Sequence, residues 1–220
     1  MAEATAPPPA GLSREEEEGA FYHEAALNAA WTGTRLALGG LSFGFGAFIF
    51  AFFYLRSLNS HGLWYAKPAP SMTLGVLIMA LVVVSALVQT LVLQRIKAGH
   101  KGIWFQGAIV ALVLGLAAVA LQIYELASLP FWPGSSGFAS VFVGFCPVYL
   151  AIAFAVLVWL EILIMRSRSI PEISFVEQPP TYAEAFAVQR FQASLSGFTV
   201  TWNYMAVVAI IAWILFYLVH

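Results

Sequence analysis

Five runs of this sequence stay apolar for about 20 residues, the length needed to cross the hydrocarbon core of a bilayer as a helix. They are Leu36–Leu55, Met72–Leu93, Ile103–Tyr124, Phe138–Met165 and Phe198–Val219. Lipid offers no partner to an open sheet edge, so each run is predicted to be a helix. The rest of the composition agrees. The chain is 61% hydrophobic and 10% charged, against about 25% charged in a soluble domain, which leaves too little polar surface to cover a water-soluble globule. The predicted fold is an all-α membrane protein with a five-transmembrane-helix bundle at 31–220. The fourth run exceeds a straight crossing, so a tilt or a kink at Pro147 is expected.

Orientation follows from the basic residues near the ends of the runs. Arg35, Arg95, Lys97, Lys101, Arg166, Arg168 and Arg190 fall on one side, and Arg56 and Lys67 on the other. This places the N-terminus in the cytoplasm and the C-terminus outside. Trp64, Tyr65, Phe131 and Trp132 would then form an aromatic belt at the outer face. Residues 1–30 are Pro- and Glu-rich, without the apolar stretch of a signal peptide or the Arg-rich character of a transit peptide. They are predicted to be a largely disordered cytoplasmic tail, with room for a short helix near Glu15–Ala30. Its four consecutive glutamates are either a solvated run or a docking element. Between the last two runs, Ala183–Leu195 reads either as an amphipathic helix on the interface or as a linker.

Little in the chain points to chemistry of its own. Net charge is −1, and nothing in the charge pattern favours nucleic acid. The single cysteine, Cys146, excludes a disulfide within the chain. His23, His61, His100 and His220 lie outside or at the ends of the apolar runs, which argues against a haem held inside the membrane. No nucleophile–base pair, metal-ligand spacing or phosphate loop stands out. No sustained internal repeat supports an inverted-repeat transporter.

Two acids fall within the runs or at their ends. Glu161 lies near the inner end of the fourth run and is expected to reach headgroup water. Glu125 ends the third run with Gln122 three residues before it, so both side chains share one helix face. Such a pair inside a bundle seeks partners on a neighbouring helix. It is predicted to be a polar clasp between the third and fourth helices. In the first run, "LGGLSFGFGAF" places Gly40 and Gly44 at GxxxG spacing with Ser42 and Gly46 on an adjoining strip, a pattern for close helix packing. Ala111 with Gly115 offers a similar strip on the third run.

The same segments carry a resemblance. Gln122, Tyr124 and Glu125, then Gly137, Phe138, Ser140, Phe142 and Gly144, resemble the helix–turn–helix of subunit III of haem-copper cytochrome c oxidases, in its short five-helix bacterial form. "FAFFYLRSLNSHGLW" with "KPAP", "QRIKAGHKGIWFQGAIVALVLGLAAVALQIYEL" and "TWNYMAVVAIIAWILFYLVH" resemble other parts of that family. The tail and the long fourth loop are not covered. The chain departs from the family at several positions. Ser42 stands where the first helix usually has a glutamate, so proton buffering there is not implied. "GFCPVYL" keeps Gly144 but lacks the histidines of the fourth helix. Asn203 and Ala206 replace residues that are usually His and Asp.

The resemblance implies a non-catalytic accessory subunit of an aa3-type cytochrome c oxidase in aerobic respiration, in a bacterial plasma membrane. Its expected partners are oxidase subunits I and II and membrane lipids, with other respiratory-complex subunits open to the N-terminal tail in a supercomplex. It would bind no cofactor itself, with haem a and copper in the partner subunits and a structural phospholipid in a cleft between helices. Two other readings remain open: a subunit of a nitric oxide reductase or other respiratory assembly, and a small membrane transporter.

Overall fold

The computed structural model describes residues 14–59, 64, 69–170, 175 and 182–219. The helices are α1 (Arg14–Ser57), α2 (Met72–Lys97), α3 (Lys101–Ala127), α4 (Gly137–Ser167) and α5 (Tyr182–Trp213), with a π-helical segment at Ile214–Leu218 that continues α5. Five helices are long and apolar enough to cross a membrane, the architecture of a multi-pass membrane protein. Their cores agree with the five apolar runs.

The helix bounds differ from the sequence expectation at two places. α1 begins at Arg14, so the 14–30 part of the expected tail is one continuous helix with the first span; residues 1–13 lie outside the described residues. α5 begins at Tyr182, and Ala183–Leu195 is therefore the first part of the last long helix rather than a separate surface element. Hydropathy marks only the apolar part of a helix. Backbone hydrogen bonding carries the same helix onward into polar sequence that still has good helix formers.

Local chemistry sets the other boundaries. Ser71 and Ser136 cap α2 and α4, accepting from the N–H groups of Leu74 (3.4 Å) and Ala139 (3.0 Å). The tight α2–α3 turn places Gly99 at φ 85°, where a side chain would be strained. The His100 N–H then bonds back to the Arg95 carbonyl at 2.9 Å. α4 runs unbroken through Pro147, which has no N–H to give the carbonyl one turn back.

Consecutive helices pack together from α2 onward, whereas α1 packs on α4 and α5. α2 lies against α3 and α5, α4 against α3 and α5, and α1 against α4 and α5. Lipid removes most of the hydrophobic drive between helices, so close approach depends on small residues and on polar links. A Cβ on Gly115 would meet Leu157 at 2.5 Å and Trp202 at 3.3 Å, which fixes how near α3 comes to α4 and α5. Beside it, the Trp202 indole N–H donates to Ser85 Oγ (3.0 Å), whose hydroxyl donates to the Ala111 carbonyl (2.7 Å). That relay ties α5, α2 and α3 together in the dry interior. Thr90 and Asn203 pair at 2.9–3.1 Å between α2 and α5.

α1 is the outlier. Only 11% of its most apolar window is buried, against 44% for α4 and α5. It touches the bundle at Thr34, which meets Gly197 of α5, and at Phe48, which meets Gly144 of α4. Near its C-terminal end Phe52 stacks edge-on against Trp64 at 5.0 Å. Trp64 and Phe131 are buried in an aromatic cluster with Phe138 and Phe142, which corrects the expected belt. The Trp64 carbonyl accepts the Phe138 N–H at 3.0 Å, so this residue serves the start of α4 instead of facing lipid. Trp132 alone of the described belt residues is exposed; Tyr65 lies outside the described residues.

Candidate functional site

The site is built where the end of α3 meets the π-helical end of the last helix. Gln122 and Glu125 share one face of α3, and both are buried, Glu125 to 2% exposure. Gln122 Nε2 donates to Glu125 Oε2 at 2.9 Å, and Tyr217 Oη donates to Glu125 Oε1 at 2.5 Å. Both carboxyl oxygens therefore have a donor. A buried carboxyl left without partners would cost several kcal/mol, so the two bonds are what make its position tolerable. The partner of the Gln–Glu pair is the last helix, where the sequence reading expected the fourth. α4 supplies wall instead, through Phe142, Cys146 and Tyr149.

Two features bring Tyr217 to Glu125. The first is the π segment, closed by the Val219 N–H bond to the Ile214 carbonyl at 3.0 Å. Within it three successive residues, Leu215, Phe216 and Tyr217, are all buried. The second is Gly75 of α2: a Cβ there would lie 2.4–2.7 Å from atoms of the Tyr217 ring, too close to be accommodated. The glycine is a slot for the phenol.

A cavity of about 40 Å³ adjoins the clasp, lined by Gln122, Glu125, Cys146, Tyr149, Trp213 and Tyr217, among others. That is room for a water molecule. Trp213 lines the same cavity, and its indole N–H is buried without a hydrogen-bond partner among the described residues. Tyr149 is engaged elsewhere, donating to the Met205 carbonyl at 3.0 Å.

The other residues singled out from sequence lie apart from this site. Gly40, Ser42, Gly44 and Gly46 are exposed on α1. Nothing lies within 4 Å of a Cβ built on Gly40, Gly44 or Gly46, so no described helix of this chain packs on the strip. Ser42 and Gly46 border an apolar cleft of about 150 Å³ between α1 and the last helix, walled by Phe45, Phe52, Phe145 and Phe216. Glu161 is exposed on α4. Asn203 holds Thr90, and Ala206 is buried. Among the described residues, no three His, Cys, Asp or Glu side chains form a group that could hold a metal.

Tyr217, Gly75 and Trp213 were missed in sequence. Tyr217 had a signal: antiparallel counting puts the end of the last span at the same membrane level as the end of the third, where Glu125 needs a donor. Gly75 had none, since its role depends on a ring 142 positions away, roughly one full chain fold distant. No protein-family model matches the chain, and no curated protein is significantly similar to it.

Proposed function

We propose that the chain is a non-catalytic accessory subunit of a bacterial terminal oxidase, resembling subunit III of the haem-copper family. The observation that carries this reading is the Gln122–Glu125 pair. It is the most distinctive motif of the resemblance, and both oxygens of its carboxyl are held by donors inside the protein. A carboxyl held by two donors, beside a cavity with room for little more than a water, is suited to fastening helix ends. It is poorly suited to turning over a substrate.

The exposure of α1 supports the same reading. A helix that leaves a GxxxG strip unoccupied by its own chain has a face suited to a helix of a larger catalytic subunit. The apolar cleft between α1 and the last helix suits acyl chains of a structural phospholipid. Haem a, copper and the oxygen chemistry would reside in the partner subunits, and this chain would prolong their working life.

The test is a mild-detergent pull-down of the tagged chain from its native membrane, with a visible spectrum and oxygen uptake on the eluate. Co-purifying a-type haem with cytochrome-driven oxygen consumption is the expected result. Haem without a-type bands, together with nitric oxide reduction, would move the chain to that reductase. A colourless, stable, isolated protein would defeat the accessory-subunit reading and favour a transporter. In the assembled oxidase, Glu125→Ala is expected to lower subunit retention and leave the haem spectrum unchanged.

A further inference from the structure

The last helix reaches the clasp twice. Tyr217 donates directly to Glu125, and one turn earlier Trp213 borders the same cavity of about 40 Å³. The Trp213 indole nitrogen is buried with no hydrogen-bond partner among the described residues. We infer that this cavity is a binding site for an ordered water, which accepts from the Trp213 indole N–H and donates to the Glu125 carboxyl.

Three observations support it. First, there is space, since about 15 Å³ of such volume is enough to admit one water. Second, both ends of a bridge border the cavity. An indole N–H can only donate, and an ionised carboxyl offers about four lone-pair sites. Gln122 Nε2 and Tyr217 Oη are the two side-chain donors placed on Glu125, at 2.9 and 2.5 Å, which leaves its oxygens able to accept a third. Third, the unused donor is particular to this place. The other buried, unpartnered side-chain atoms among the described residues belong to Trp64, Gln89 and Trp104, and none of these three residues borders the cavity.

The chemistry narrows the occupant. A metal cation cannot accept the indole N–H, and an anion would meet the carboxyl oxygens. Water both accepts and donates, and a bridging water holds two groups nearly as well as a direct bond. The level supplies it. Glu125 lies in the last turn of α3, Gly75 in the first turn of α2 and Tyr217 near the end of the last helix, so the cavity sits among helix ends and not at hydrocarbon depth. The bridge fastens α3 to the last helix just before the π segment, as Tyr217 does within it. This inference goes beyond the accessory-subunit reading and does not depend on it, because it concerns the chain by itself.

The test uses the full chain with isotope-labelled tryptophan in a neutral detergent, and reads magnetisation transfer by NMR between water and each indole proton. The Trp213 resonance is assigned by its disappearance in Trp213→Phe. A cross-peak between that proton and a long-lived water is the expected result, and its absence from the wild type would overturn the proposal. Ala209→Val narrows the cavity from the last helix, so it should abolish the cross-peak and shift the indole proton upfield as its hydrogen bond is lost. Should that variant fail to fold, Ala212→Val on the same wall carries this arm. A cross-peak of wild-type strength in the folded filling variant would overturn the proposal by placing the water elsewhere. Glu125→Gln keeps an acceptor and should retain the cross-peak, whereas Glu125→Leu should lose it; a folded Glu125→Leu protein with the full cross-peak would overturn the bridge to the carboxyl. Exchanging sodium for choline in the buffer should leave the Trp213 resonance unmoved, and a shift would overturn the proposal by assigning the cavity to a cation.

Discussion

Two strips of small residues occur in this chain, and they have opposite fates. Ala111 and Gly115 on α3 are buried, with Leu157 and Trp202 filling the space a larger side chain would need. Gly40 and Gly44 on α1 have the better-known spacing, yet nothing of this chain approaches them. Spacing alone therefore marks a surface able to be approached closely, without saying by what. On α3 the approach is completed inside the chain and secured by the Trp202–Ser85–Ala111 relay. On α1 no such polar link accompanies the strip among the described residues, and the helix meets its own bundle through another face, where Phe45 and Phe52 are buried.

Substitutions can break this contrast. The largest effect is expected for Gly115→Leu, which forces a branched side chain into Leu157 and Trp202; it should cost about 3 kcal/mol and show as a lower unfolding midpoint in detergent. Gly44→Leu adds the same atoms to the open strip and tests the other side of the comparison. Next comes Tyr217→Phe, which removes one of the two donors to the buried Glu125; about 2 kcal/mol is expected, and Gly75→Ala should mimic it by displacing the ring. A Tyr217→Phe protein as stable as wild type would show that the clasp is dispensable. Ser85→Ala removes the hydroxyl that links the Trp202 indole to the Ala111 carbonyl, for about 1 kcal/mol, in line with polar links between membrane helices. The smallest effect is expected for Gly44→Leu itself, within about 0.5 kcal/mol for the isolated chain. In native membranes the order should reverse if α1 docks on a partner: Gly44→Leu should then release the chain from the complex in a pull-down.

The contrast also explains what could be read from the sequence. The five spans are visible because the membrane imposes length and apolarity on each helix separately, and these are local properties. The Gln122–Glu125 face is visible for the same reason, as an i, i+3 pair on one helix. Tyr217 is 92 positions from Glu125, and its direction depends on a wide turn that no residue type encodes by itself. The inward turn of Trp64 and Phe131 was hidden likewise. A loop tryptophan looks the same in sequence whether it anchors at lipid or caps α4. The early start of α1 and α5 was obscured because their first turns are polar, and hydropathy reports solvent rather than backbone.

The π segment gives the end of the last helix an unusual tolerance. Deleting a residue from a packed helix normally swings everything beyond it by about 100° and ruins its contacts, given 3.6 residues per turn. Within Ile214–Leu218 a deletion would instead close the wide turn to an ordinary one and leave the backbone ladder whole. What it would lose is aim: the phenol of Tyr217 would leave the Gly75 slot and abandon Glu125. The spare residue in that turn acts as a phase setting, adjusting which side chain faces the bundle without changing how far the helix reaches.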